Sequence, residues 1–327
     1  MKKGILLWGS EWGGKRQRVR TMLPLDGLTV LSTALNVPGP VAAFRLRELG
    51  ARITKVEPPG GDPLRKVAPS WYQELIRDQE VLTLDLKAPE GQRILHERLS
   101  QTDLLLTSQR PSSLARLGLD PDRLFPLYPK LLHVLLVGYG AGREEEPGHD
   151  LTYVTQLGMV KPPALPLTLV SDLAGAQRAV QEALALFLCR ERRIPQRQAV
   201  VSLQEAARLW AAPWRCGLTA PEGLLGGAYP LYRFYRARDG WVAVAALEEK
   251  FAWRLCGEMG VDPQRLGQRD TWPEVERALA EGFLRRSVEE WEAWAKAMDV
   301  PLTGLGRERE VMGEGPSGPP GSLAKGR

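Results

Sequence analysis

The chain has 327 residues, 43% hydrophobic and 25% charged, with a formal net charge of +5, the balance of a soluble globular protein long enough for one large domain or two ordinary ones. Outside Lys15 to Arg20 and Arg190 to Arg193 the bases are interleaved with acids, so nucleic acid is disfavoured as a partner, while a small positive balance suits a phosphate-bearing anion. No apolar run approaches the roughly 18 residues that span a bilayer, and Cys189, Cys216 and Cys256, widely spaced and without CxxC, argue against a disulfide framework or a cysteine zinc site and fit a reducing cytoplasm.

Residues 1–22 show no clear periodicity and read as an N-terminal extension. Lys2 and Lys3 precede a short apolar run that Gly9-Ser10-Glu11 ends too early for a signal peptide. Gly27 to Ser32 reads as a first buried strand. Pro38-Gly39-Pro40 opens a helix to Leu49, Gly50 closes it, and Ala51 to Val56 is a second strand. That order is a βαβ unit. Glu80 to Leu86 is expected as a strand, Pro89 to Ser100 as a helix, Asp103 to Leu106 as a strand and Pro111 to Leu117 as a short helix. His133 to Val137 is a strand that runs out into Gly138-Tyr139-Gly140. The alternation predicts an α/β fold, a Rossmann-like parallel sheet with helices on both faces. No GxGxxG follows the first strand, so the dinucleotide fingerprint is absent.

Pro162 to Pro166 reads as a stiff loop and Leu167 to Val170 as a short strand. Ser171-Asp172 is expected to cap a helix reaching about Leu188, with Val180, Leu184, Phe187 and Leu188 at helical spacing. Ala199 to Leu203 is strand-like, and a helix follows to Ala212. Gly223 to Gly227 reads as a linker. Tyr232 to Tyr235 and Gly240 to Ala246 form a hairpin about Arg238-Asp239-Gly240. Helices are expected near 249–259, 272–284 and 287–298, the last opened by the capping box Ser287-Val288-Glu289-Glu290. The expected divisions are an extension 1–22, a large domain 23–215, a linker 216–227, a small α+β domain 228–305 and a tail 306–327.

The chemistry concentrates at Gly148-His149-Asp150, which holds one of only three histidines. An imidazole just past a strand end stands where open α/β sheets place their ligands, and it is matched to proton transfer near neutral pH. The bland alternatives are a hydrogen-bonded loop histidine for His149, a turn-stabilising carboxylate for Asp150, a helix N-cap for Asp172 and a solvated acid for Glu248. Arg110 and Arg116 flank a short helix and can hold phosphates. His96, His133, Trp291 and Trp294 read as structural. The absence of Gly-x-Ser-x-Gly and of a Walker loop argues against hydrolase and NTPase chemistry.

Arg45 to Gly50, Ala51 to Pro59, Thr83 to Lys87, Gln109 to Pro111, Ala115 to Gly118, Gly148 to Asp150, Val170 to Asp172 and Ala246 to Glu248 together resemble the family III CoA-transferase (CaiB/BaiF) fold family, and within it the α-methylacyl-CoA racemases. The resemblance implies an isomerase of lipid metabolism that inverts the 2-methyl centre of branched acyl-CoA thioesters. His149 and Asp172 would be the bases on opposite faces. Glu248 would orient His149, and Asp150 would be structural or assist. Donors for an enolate would come from the start of the helix at Asp172 or from the 148–153 loop. The resemblance also implies CoA contacts from Leu84, Lys87, Arg110, Arg116, Gly148 and Tyr153, no metal and no cofactor beyond CoA in the substrate, a cytoplasmic setting, and an interlocked homodimer. Two other readings stay open, a CoA transferase with Asp150 as nucleophile and a non-catalytic CoA-binding homologue. The chain departs from the family at Pro58, at Ile76 to Glu80, and at Leu173 to Ala176.

Overall fold

The central strands of the first sheet, Leu104–Thr107 and Leu132–Val137, are buried throughout because helices cover both faces. The computed structural model describes residues 22–140 and 142–305. Of the expected extension only Met22 falls among them, and the expected tail lies outside them. The chain divides into two compact units between Ala212 and Pro213.

The first unit runs β1(Thr29–Ser32), α1(Pro38–Glu48), β2(Arg52–Glu57), α2(Leu64–Val67), α3(Pro69–Leu75), β3(Glu80–Thr83), α4(Pro89–Leu99), β4(Leu104–Thr107), α5(Pro111–Arg116), α6(Pro121–Leu127), β5(Leu132–Val137), α7(Asp150–Gln156), α8(Val170–Glu191), β6(Gln198–Ser202) and α9(Leu203–Arg208). The six strands form one parallel sheet in the order β3-β2-β1-β4-β5-β6, as the alternation predicts. On one face Val30, Leu104, Leu106, Leu132, Val134 and Leu136 pack with Ala42 and Leu46 of α1 and Val180, Ala183 and Phe187 of α8. On the other, Leu31, Leu105, Leu135 and Val137 pack with Leu95 and Leu99 of α4, Leu114 of α5 and Leu124 of α6. Residues alternate between the two clusters as the two-residue period of a strand requires. Each fully buried leucine contributes about 1.5–3 kcal/mol.

The strand order reverses between β1 and β4. Ligands of open α/β sheets bind beyond the carboxyl ends of strands at such a point. There the chain after β1 is tied to the chain after β4. The Gln109 amide donates to the Thr33 carbonyl at 2.7 Å, the Thr33 hydroxyl donates back to Gln109 Oε1 at 3.0 Å, and the Leu35 N–H donates to Ser108 Oγ at 3.1 Å.

Three local expectations are corrected. Leu167 to Val170 is not a strand: β6 already pairs with β5 at that end of the sheet, and Leu167 is fully exposed. Helix α8 begins at Val170 with Leu169 as N-cap, so Asp172 lies inside the first turn and caps nothing. The stretch after His149 is helix α7 rather than a loop. The short helices α2, α3 and α6 were not expected.

Beyond the short helix α10(Ala212–Arg215), the second unit has β7(Tyr232–Arg236), β8(Trp241–Ala245), α11(Glu249–Met259), α12(Trp272–Phe283), α13(Val288–Met298) and β9(Leu302–Gly304). The strands form an antiparallel sheet in the order β7-β8-β9. Leu255, Val275, Leu279, Phe283 and Trp291 fill its core, and the Trp291 indole donates to the Phe283 carbonyl at 2.8 Å. Ser287 and Glu290 form the expected capping box at 3.2 and 2.7 Å. In the glycine-rich stretch from Gly223, Gly227 takes a positive φ of 102° and kinks the backbone within Leu224–Ala228.

Candidate active site

At the reversal point of the first sheet lies a cavity of about 170 Å³ lined by Asn36, Arg110, Gly148, His149, Tyr153 and Asp172, among others. Residues from the ends of β1, β4 and β5 and from helices α7 and α8 therefore meet around one space.

His149 is the N-cap of α7 with an extended backbone. Its N–H donates to Thr152 Oγ1 at 3.1 Å, and its carbonyl accepts from the Thr152 N–H and hydroxyl, each at 2.8 Å. The main chain is clamped while the residue stays exposed at the cavity.

Asp150 is the opposite case. It is only 5% exposed, and its Oδ1 accepts the N–H of Ser171 at 2.6 Å and of Asp172 at 3.0 Å. A helix start leaves its first N–H groups unpaired. A carboxylate from α7 here supplies what an N-cap side chain ordinarily would. One residue thus fixes the start of α8, and with it Asp172, against the helix that His149 caps.

Burial, and then the Asp150 charge, push the Asp172 carboxyl up from its ordinary 3.8 to about 7. A helix N-terminus favours a carboxylate, and that stabilisation is outweighed here. Asp172 therefore holds its proton to a higher pH than an ordinary carboxylate does. Tyr153 is buried, and its phenol is pushed up to about 12, first by burial and then by the neighbouring Asp172. Its ring packs edge-on to Tyr139 with centroids 5.0 Å apart.

The residues expected to hold CoA do not share one surface. Arg110, Gly148 and Tyr153 line the cavity. Lys87 and Arg116 line a separate groove of about 800 Å³ in the same unit, together with Arg123 and His96. Leu84 is buried in the core beneath α4 and lines neither space. Glu145 accepts hydrogen bonds from the Ser112 N–H and hydroxyl at 2.7 and 2.8 Å. Those bonds, aided by the charges of Arg110 and Arg116, hold its carboxyl below the ordinary range. Glu248 belongs to the second unit, where it is exposed as the N-cap of α11.

One polar cluster went unread in the sequence. Lys55, within β2, is fully buried and pairs with Glu57 at 3.1 Å and Asp62 at 2.7 Å. The Tyr72 hydroxyl donates to Glu57 at 2.6 Å. Burial works against the Glu57 carboxylate, yet the bonds from Tyr72 and Lys55 hold it below its ordinary value. Asp62 also accepts the N–H of Asn36 at 3.1 Å, and so supports a left-handed residue, φ 64°, at the cavity rim. Lys55 and Glu57, flanking Val56 in a strand of the parallel sheet, were the available signal. Among the described residues no group of three or more His, Cys, Asp or Glu side chains is placed to hold a metal ion, and no helix is long and apolar enough to cross a membrane.

The profile of CoA-transferase family III matches residues 25–315. The chain is 29% identical over 292 residues to the α-methylacyl-CoA racemase of Homo sapiens, covering 82% of this chain and 74% of that one. It is 26% identical over 336 residues to a probable fatty acyl-CoA transferase of Mycobacterium tuberculosis, covering 85% of each. A crystal structure of a Mycobacterium tuberculosis hypothetical protein superposes with a TM-score of 0.77 at 25% identity, over 89% of this chain and 88% of the other.

Proposed function

The chain belongs to CoA-transferase family III, and on that premise we propose that it is an acyl-CoA racemase that inverts the 2-methyl centre of branched thioesters. The observation that carries the reading is that His149 and Asp172, 23 residues apart by their numbers, line one cavity.

A thioester acidifies the hydrogen on its α-carbon because the electron pair left behind delocalises onto the carbonyl oxygen. Inversion needs a base on one face to take the proton and an acid on the other to return one. The two groups must begin each turnover in opposite protonation states. Asp172, titrating near 7, can start in either. In one direction the Asp172 carboxylate takes the proton and an imidazolium at His149 protonates the opposite face of the enolate. In the other direction the roles exchange. One proton leaves the substrate and one is returned, so none is consumed, and exchange with water resets the two groups.

Arg110 beside the cavity and the groove bearing Lys87, Arg116 and Arg123 offer guanidinium and ammonium partners for the phosphates of CoA. A transferase reading would require Asp150 to attack an acyl group. Its burial and its two backbone hydrogen bonds speak against that role. Trapping with hydroxylamine during turnover separates the two, since only the transferase accumulates an acyl group on Asp150.

The direct test is incubation of a 2-methylacyl-CoA with the protein in D2O. Deuterium should enter the α-carbon and a single enantiomer should become a mixture. Loss of neither property on replacing His149 and Asp172 would refute the assignment.

A further inference from the structure

Among the described residues Tyr153 is the one tyrosine lining the cavity, and the two-base chemistry makes no use of it. Its ring sits where two glycines leave space. A Cβ added to Gly138 would lie 2.2 Å from the phenol oxygen, and one added to Gly148 would lie 2.5 Å from the ring and 2.9 Å from that oxygen. These glycines follow β5 and precede α7, so two backbone segments set where the phenol stands. Only glycine at both positions admits it there. Tyr139, the tyrosine packed against it, spends its hydroxyl on Thr152 at 3.3 Å. The Tyr153 hydroxyl makes no hydrogen bond with any described residue, and it is not among the buried polar atoms sealed off without a partner. It is a donor held over the cavity with nothing inside the protein to receive it. A polar group so placed is expected to meet a ligand.

We propose that the Tyr153 hydroxyl donates a hydrogen bond to the thioester carbonyl oxygen and holds the enolate formed from it. The inference rests on the racemase reading and names a residue for a step that reading leaves open. No covalent bond forms at tyrosine. The α-C–H electron pair moves to the carbonyl oxygen, and the phenol keeps its proton throughout. Burial and the neighbouring Asp172 hold that proton on tyrosine at neutral pH, so the group acts as donor and not as a third base. An enolate oxygen accepts more strongly than a thioester carbonyl, so the bond tightens as the proton leaves. That difference is what accelerates the step.

Tyr153→Phe keeps the ring between the glycines and removes only the oxygen. The expected result is a fall of about 10²-fold in kcat for α-deuterium exchange, with KM for the acyl-CoA changed less than about threefold and an unchanged Tm. A structural role would instead lower Tm or raise KM. Replacing Tyr153 with 3-fluorotyrosine, which keeps the fold even if the Phe variant does not, makes the donor more acidic and should alter kcat without altering KM. A Tyr153→Phe enzyme that exchanges at the wild-type rate, or a fluorinated one indistinguishable from wild type, overturns the assignment of tyrosine alone. Wild-type protein that exchanges no 2-methylacyl-CoA overturns the racemase reading and this inference with it.

Discussion

Asp150 and Asp172 show how one carboxylate can set the behaviour of another. Asp150 accepts the two N–H groups at the start of α8 and adds its charge beside Asp172. Asp150→Asn keeps an oxygen acceptor and removes the charge. The limb of the exchange-rate profile that reports Asp172 should move to lower pH, which a pH series of α-deuterium incorporation would show. His149→Ala and Asp172→Asn should each reduce exchange by about 10²- to 10⁴-fold, measured against the wild-type rate. Stability carries the opposite sign from activity. The folded pKa of Asp172 lies above its unfolded value, so its contribution is intact at pH 4 and is lost as pH rises to about 7. Asp172→Asn should therefore gain Tm over wild type at pH 8 but not at pH 4, by roughly 2–4 °C for each 1 kcal/mol recovered. If the gain is the same at both pH values, the buried-carboxyl explanation fails. At this scale the sequence was legible for residue type and order: His149 and Asp172 were singled out before any geometry. It was not legible for environment. Nothing in Gly-His-Asp says that Asp150 turns inward to a helix 21 residues on, because that depends on where α8 begins.

The elements that position the site depend on backbone approach more than on helix propensity. Gly175 in α8 is an example, since a Cβ there would lie 2.1 Å from Leu203 Cδ2, and Leu203 lines the cavity at the start of α9. Gly175→Ala should cost about 1–3 kcal/mol through crowding, read as a lower Tm, and should also raise KM as Leu203 shifts. An unchanged KM would mean that Leu203 yields away from the cavity. In β5, His133 is fully buried, and burial lowers its pKa to about 4. Its folded value lies below the unfolded one, so stability is lost as pH falls from about 6.5 toward 4. The central strands β4 and β5 were legible because each is a short, mainly apolar run between turn residues. Leu167 to Val170 shows the limit of that signal. Its composition is strand-like, but the sheet has no place for it beside β5, and composition does not record vacancies in a sheet. Helix α7 was hidden for a related reason: its start is set by Thr152 closing on the His149 backbone, a contact with little periodicity.

On the scale of the whole molecule, the first unit separates the cavity lined by His149 and Asp172 from the groove lined by Lys87, Arg116 and Arg123. That separation suits a substrate with a reactive acyl end and a distant charged end. Lys87→Ala combined with Arg116→Ala should raise KM for acyl-CoA several-fold, about 1 kcal/mol for exposed charges. The same pair should leave KM unchanged for an acyl-N-acetylcysteamine thioester, which lacks the nucleotide. Equal effects on both thioesters would show that the groove does not read the nucleotide. The Rossmann-like architecture and the small α+β unit were expected from the alternation of patterns. The division between Ala212 and Pro213 has no compositional mark as plain as the glycines that follow it. The buried Lys55–Glu57–Asp62 ion pairs were unreadable because charge pairing inside a core depends on Asp62, beyond the end of the strand.

The clamp from Asp150 onto the first turn of α8 also changes what residues 160–169 have to do. With the start of α8 held by that carboxylate and Leu157 and Met159 packed beside Ala174, the proline-rich, exposed stretch that follows is left with little register to hold and should be replaceable. Shortening it by a few residues, or cutting it with a protease after folding, should leave the two halves of the site in place, whereas the same surgery on a chain carrying Asp150→Ala should let them drift apart.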